Sequence, residues 1–315
     1  MLKLLGQRLL LSIVTLIVVS ALIFAITEWL PGDVASNILG QQATPENVAA
    51  VRAELDLDRP PHVRYIEWLR GVLHGDLGRS LASKRLVSEV IGPRWSNTAF
   101  LVLYAALVSV PLSVVLGTLA AVYRKGVYDR LIGVGSVTAV SMPEFFVGLI
   151  LILLFAVQYR WFPAIATYKP EHVFTQHLQA MFLPMLALAL VVAARMMRMV
   201  RTSVLTVLDS PYIEMASLKG LSRSRIVMRH AMPNALMSII DVAALNLAYL
   251  IAGVIVVESV FTYNGLGRLM VDAVAKRDVP VVQACGLIFA AAVIGLHLIA
   301  DVLSIVSNPR VRLSR

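Results

Sequence analysis

Six apolar runs divide this chain, at roughly 9–27, 98–122, 131–157, 180–197, 238–257 and 281–306. A helix rising 1.5 Å per residue needs about 20 residues to cross a ~30 Å hydrocarbon core. Inside lipid, the backbone must also satisfy its own hydrogen bonds. The expected fold class is therefore all-α, a polytopic membrane protein with six transmembrane helices. Composition agrees: 58% of the residues are hydrophobic and 15% charged, against about 25% charged in soluble domains. The first run follows Lys3 and Arg8 and could pass for a signal peptide. It has the length of a span, and no small-residue cleavage site follows, so we read it as an uncleaved first helix.

The formal net charge of +9 sorts by loop. On one side stand Lys3 and Arg8, the connection with Arg124, Lys125 and Arg130, the connection from Arg195 to Arg229, and the end with Arg310, Arg312 and Arg315. They hold fifteen Lys and Arg residues, against five in the short loops opposite. The long first loop is set aside, because such loops cross regardless of charge. The bias places both termini and the 209–233 connection in the cytoplasm. The positive charge thus has a topological explanation, and nucleic-acid binding has no role. The single cysteine, Cys285, lies in an apolar run and excludes both an intrachain disulfide and a cysteine metal cluster.

Residues 28–97 are polar but patterned. Thr44-Pro45-Glu46 reads as a helix start, with Val48, Val51 and Leu55 at helical spacing. Pro60-Pro61 opens a second helix with Val63, Ile66 and Leu69 on its buried side, before Gly71, Gly75 and Gly78. An ordered region outside the membrane is expected between helices one and two.

The 209–233 connection reads as two short helices hinged at Gly220. Ser210 is placed to cap the first with Pro211 behind it, and Gly220 suits a left-handed C′ position. Ser222 would cap the second, with Arg223, Arg225 and Arg229 on one side and Ile226, Val227 and Ala231 on the other, until Pro233 stops it. Such a segment serves either as an amphipathic linker on the membrane surface or as a docking element. Glu214, Ala216 and Gly220, followed by Ile226 and Pro233, resemble the EAA loop of ABC importer permeases, although that pattern has alanine where this chain has Met215.

The resemblance extends along the chain. Pro31-Gly32-Asp33, Leu55 to Pro60, Tyr65-Ile66-Glu67-Trp68, Gly75 to Ser80, Ser141-Met142-Pro143-Glu144, Glu258 to Arg268, Asp278-Val279-Pro280 and Asn308-Pro309-Arg310 are similar to the B-type inner-membrane permease of dipeptide, oligopeptide and nickel ABC importers. The resemblance implies a type I ABC importer permease fold in the bacterial inner membrane. Residues 1–95 would form the first helix plus a periplasmic region, 96–307 a five-helix transmembrane domain, and 308–315 a cytoplasmic tail. It implies a second homologous permease, two ABC ATPase subunits and an external solute-binding protein as partners, besides the lipid bilayer. Tyr212, Glu214, Ala216, Gly220, Leu221, Arg223 and Pro233 would form the ATPase-coupling site. Tyr65 and Trp68 would either receive the binding protein or cap the permease's own outer face.

No Gly-x-x-x-x-Gly-Lys-Ser/Thr loop is present, and the glycine-rich 71–80 stretch lacks the lysine. The chain is therefore read as no enzyme and as binding no cofactor of its own, with ATP and Mg²⁺ held by the ATPases. No catalytic or metal-ligating constellation stands out among the six histidines and one cysteine, which argues against a membrane-embedded hydrolase. Pro143 should break the third helix, leaving Glu144 as a packing or gating kink or as a solute contact. Asn246 and Tyr249 lie deep in the fifth run, where they join helices or line a pore. Met196, Met197 and Met199 read as core filling. His297 and Asp301, four apart, can pair on one helix face. The rival class is a stand-alone secondary transporter, disfavoured by the scarcity of central charges. Peptides, opines, glutathione-like molecules and nickel complexes all remain open as the solute.

Overall fold

A computed structural model describes residues 2–29, 36, 43–54, 58–166 and 173–307. The expected features at Pro31-Gly32-Asp33, Leu55 and Asn308-Pro309-Arg310 lie outside them. The described residues are helical: α1 (Leu2–Glu28), α2 (Pro45–Glu54), α3 (Pro61–Leu73), α4 (Val87–Val122), α5 (Val127–Ser141) and α6 (Glu144–Leu151, continuing as a π-helix over Ile152–Gln158). Then come α7 (Phe174–Ala180), α8 (Phe182–Leu208), α9 (Pro211–Leu218), the long α10 (Arg223–Val260), α11 (Leu266–Ala275) and α12 (Val279–Ser307). Helices α1, α4, α8, α10 and α12 are each long and apolar enough to cross a membrane. α5 and α6 meet at a bend of 102° and make a sixth crossing only if the bent pair counts as one. Pro143, extended at the head of α6, breaks the run as its missing N–H and fixed φ require.

Several helices outrun the apolar runs that announced them. α4 starts at Val87 rather than near 98, and α8 ends at Leu208 rather than near 197, because hydropathy marks only the lipid-facing slab. One consequence is a correction to the charge count: Arg195, Arg198 and Arg201 belong to the body of α8, not to a loop. Twelve cations against five still carry the same bias.

The core forms where small residues let backbones meet. Ala105, Ser109, Ser113, Gly117 and Ala121 recur every fourth residue along α4, and all are buried. A Cβ added to Gly117 would stand 2.7 Å from the Met197 carbonyl oxygen of α8. Met196, fully buried, fills the seam with Val200, Val204 and Ile239. At the opposite end of the bundle, Leu101, Leu250, Phe261, Tyr263 and Leu266 close a larger apolar cluster.

α1 lies at the edge, packed mainly on α12. Gln283 donates to Thr27 at 2.8 Å, Arg64 of α3 pairs with Glu28, and Arg8 pairs with Asp301 at 3.1 Å. Asp301 therefore serves α1 rather than His297, which is exposed. The expected helix starts are present: Thr44 Oγ1 accepts from the Asn47 amide, and Pro60 precedes α3. Ile66 departs from expectation. It is exposed, because α3 turns Tyr65 and Trp68 inward instead.

Candidate coupling and translocation site

α9, Gly220 and the head of α10 form the hinged pair expected from sequence. Gly220 has φ +76°, a left-handed conformation that costs other L-residues about 1–2 kcal/mol. Ile213 and Ala216, three apart on α9, are buried against Ile226 and Ala231. That anchoring turns Tyr212, Met215 and Leu218 outward, with Leu218 76% exposed. Met215, the departure from the EAA pattern, thus falls on the exposed face, while Ala216 holds the packed one. Glu214 is exposed and lines a recess of about 530 Å³ together with Asp209 and Leu221. Arg223 donates to the Val122 carbonyl and lies 5.6 Å above the Tyr123 ring, and Arg124 bonds Asp209 at 2.6 Å. These contacts fasten the segment to the α4–α5 turn.

Two local expectations need correction. Ser210 occupies the cap position with extended backbone, but its hydroxyl turns back to the Val207 carbonyl and caps nothing. Pro233 does not end the second helix. The chain widens into a π-helix over Ile226–Ala231 and runs straight on as α10. A π stretch absorbs the missing proline N–H without a break, and Asn234 Nδ2 covers the His230 carbonyl at 2.7 Å.

The candidate pore residues lie higher in the bundle. Asn246 and Tyr249 of α10 line a groove of about 580 Å³ with Arg195 and Arg198 of α8. Arg195 stands 5.0 Å over the Tyr249 ring. Glu144 packs its carboxylate against Gly253, one turn beyond Tyr249, where a Cβ would come within 2.6 Å of it. Tyr65 meets Phe24 of α1 edge-on and Trp68 meets it tilted, with centroids 5.5 and 6.2 Å away, and the Tyr65 hydroxyl meets Ser20 at 2.9 Å. Among the described residues, no group of three or more His, Cys, Asp or Glu could hold a metal ion.

Residues 113–313 match the family described as binding-protein-dependent transport system inner membrane component, and residues 1–102 match its N-terminal region. The chain belongs to this family. Among its relatives is the glutathione transport system permease protein GsiC of Salmonella typhimurium (strain LT2), 38% identical over 306 residues, 97% of each chain. The Escherichia coli (strain K12) protein of the same name is 36% identical over the same length and coverage. The chain is thus an ABC transporter permease of the inner membrane, in a family that is not itself catalytic.

In this permease two carboxylates with no role assigned to them above prove to be clamps. Glu258, fully buried at the end of α10, accepts from Thr98 Oγ1 at 2.5 Å and from the Gly267 and Arg268 amides at 2.7 and 3.1 Å. Gly265 and Gly267 leave no room for a Cβ beside it, so the glycines flanking Leu266 are explained by the carboxylate they enclose. Asp278 accepts from Ser80 Oγ at 2.5 Å and from the Leu81 amide at 2.9 Å. It joins two stretches about 200 residues apart that the sequence showed only as separate matching words. A buried acid followed by Gly-x-Gly was the available signal for the first clamp; the second had none.

Proposed function

We propose that this chain is one of two related permeases of an ATP-driven, binding-protein-dependent importer that moves peptides or a similar small solute inward. In this reading six helices cross the membrane, the bent α5–α6 pair counting as one, with both termini and α9 in the cytoplasm. Residues between α1 and α4 stand outside, within a 1–95 unit that precedes the 96–307 transmembrane domain. Two ATPase subunits bind and hydrolyse ATP, and the chain itself holds no cofactor.

The observation that carries the reading is the hinged segment at Gly220. Ile213 and Ala216 root it in the bundle while Tyr212, Met215 and Leu218 face solvent. A rigid knob of that kind transmits a push to α8 and α10, between which it is spliced. Closure of the ATPases would draw the two permeases' knobs together and rock the helices outward-facing. Solute class follows only from the likeness to glutathione permeases. On the external side, Tyr65 and Trp68 would act by fixing α3 on α1, leaving its exposed face, with Ile66 and Glu67, for the binding protein.

The test is affinity purification of the tagged chain in mild detergent, wild type beside Gly220→Val. Wild type should bring down two ATPases and a second permease. The variant should stay in the membrane but lose most of the ATPase and the solute uptake. A wild-type chain that purifies alone, with transport driven by an ion gradient, would transfer the case to a secondary transporter.

A further inference from the structure

Arg195 is the central residue of the 27-residue α8, and Asn246 is the central residue of the 29-residue stretch Met232–Val260 of α10. Each therefore lies about 20 Å from either end of the segment named. A guanidinium at that depth is costly unless water or a counter-charge meets it. Arg195, Arg198 and Thr202 face Val242, Asn246 and Tyr249 across one groove, at the same three-and-four spacing on both helices. Its volume of about 580 Å³ suits a small molecule.

Neither guanidinium makes an ion pair among the described residues. Glu144 of α6 is near enough to attract Arg195 electrostatically but forms no ion pair with it, so the guanidinium's hydrogen-bond donors are not taken up by that carboxylate. Arg195 leans instead on the half-exposed Tyr249 ring at 5.0 Å. Asn246 is fully buried; its Nδ2 is spent on the Val242 carbonyl at 2.7 Å and on Met199 Sδ at 3.5 Å, while Oδ1 has no partner. The groove thus offers a guanidinium held on a half-exposed aromatic ring, with the unpartnered Asn246 Oδ1 buried behind its wall.

We propose that this groove is a mid-membrane subsite for a carboxylate of the transported solute, with Arg195 as the specificity-determining cation. Arg195 takes the carboxylate in the two-pronged geometry of a guanidinium, and the half-exposed Tyr249 ring holds the guanidinium in place. Arg198, one turn on, offers the next positive foothold towards the Gly220 end. The inference rests on the importer reading and adds to it a requirement on the cargo, an acid group.

The experiment uses the complete transporter, with both permeases, the ATPases and saturating binding protein, in liposomes. The probes are glutathione and dialanine. Arg195→Gln should slow ATP-driven uptake about tenfold, while ATP hydrolysis and subunit recovery stay within about twofold. Arg195→Lys, which keeps the charge but loses the two-pronged fork, should be slowed measurably less than Arg195→Gln. Unchanged uptake by Arg195→Gln would overturn the subsite, and equal losses in both variants would assign Arg195 to packing on Tyr249. Loss of the second permease on purification would mean that Arg195 pairs with a carboxylate of that chain instead. If the wild-type complex takes up neither probe, the importer reading for peptide-like solutes fails, and the subsite with it.

Discussion

At the scale of the residue, the strongest constraints are places where one atom has no alternative. Glu258 is surrounded by donors that have nowhere else to turn: Thr98 Oγ1 and two amides of the Gly267 turn. Removing the carboxylate strands them without water, at roughly 1–3 kcal/mol each. Glu258→Ala should therefore lower the thermal midpoint of the detergent-purified chain well below that of an exposed control such as Glu67→Ala. Equal midpoints would show that the clamp contributes nothing. Gly220 is constrained differently. Nothing lies within 4 Å of where its Cβ would be, so only the positive φ opposes substitution. Asparagine tolerates that region, and Gly220→Asn should keep most of the ATPase recovery that Gly220→Val loses. If both variants behave alike, the side chain and not the backbone angle matters at this hinge.

At the scale of the element, the α4–α8 seam shows how close packing replaces the hydrophobic effect inside lipid. Gly117 meets backbone, the Met197 carbonyl, which cannot swing aside as a side chain could. Gly117→Ala should separate the helices and cost about 1–3 kcal/mol, read as a lower melting temperature. Gly133→Ala, whose added methyl meets nothing on α5, should leave it unchanged. Helix existence was legible in the sequence, because a 20-residue apolar run has almost no other fate in a membrane. Helix ends were not. Arg195 was assigned to a loop because a charge closes a hydropathy window, although a charge facing a groove need not close a helix. Pro143 was legible as a break, whereas Pro233 was misread as a stop. The same missing N–H yields either outcome, and the choice depends on whether neighbouring carbonyls find other donors.

At the scale of the whole molecule, the two ends of the bundle differ in kind. The Asp278 end is closed by buried carboxylates gripping backbone amides, while the Gly220 end is held by exposed arginines on a carbonyl, a ring and the exposed Asp209 carboxylate. The hinged pair of short helices around Gly220 was legible because its local pattern is self-contained. The pairing of Ser80 with Asp278, and of Arg195 with Tyr249, was not, since no local rule joins positions so far apart in sequence. The proposed orientation can be checked with one cysteine per chain. Cys285 is fully buried, so the natural thiol stays silent towards a membrane-impermeant maleimide. Glu67→Cys on α3 should label in intact cells, and Leu218→Cys on α9 only after lysis. The reverse pattern would invert the topology.

The π-helical stretch at Ile226–Ala231 has a consequence for phase. Each wide turn holds one residue more than an α-turn, and one residue of α-helix corresponds to about 100° of rotation. The surplus sets the compass bearing on which the knob at Tyr212, Met215 and Leu218 leaves the bundle, independently of how α10 is seated among its neighbours. The segment proposed to couple engine and channel therefore carries its own angular adjustment, written in a single inserted residue.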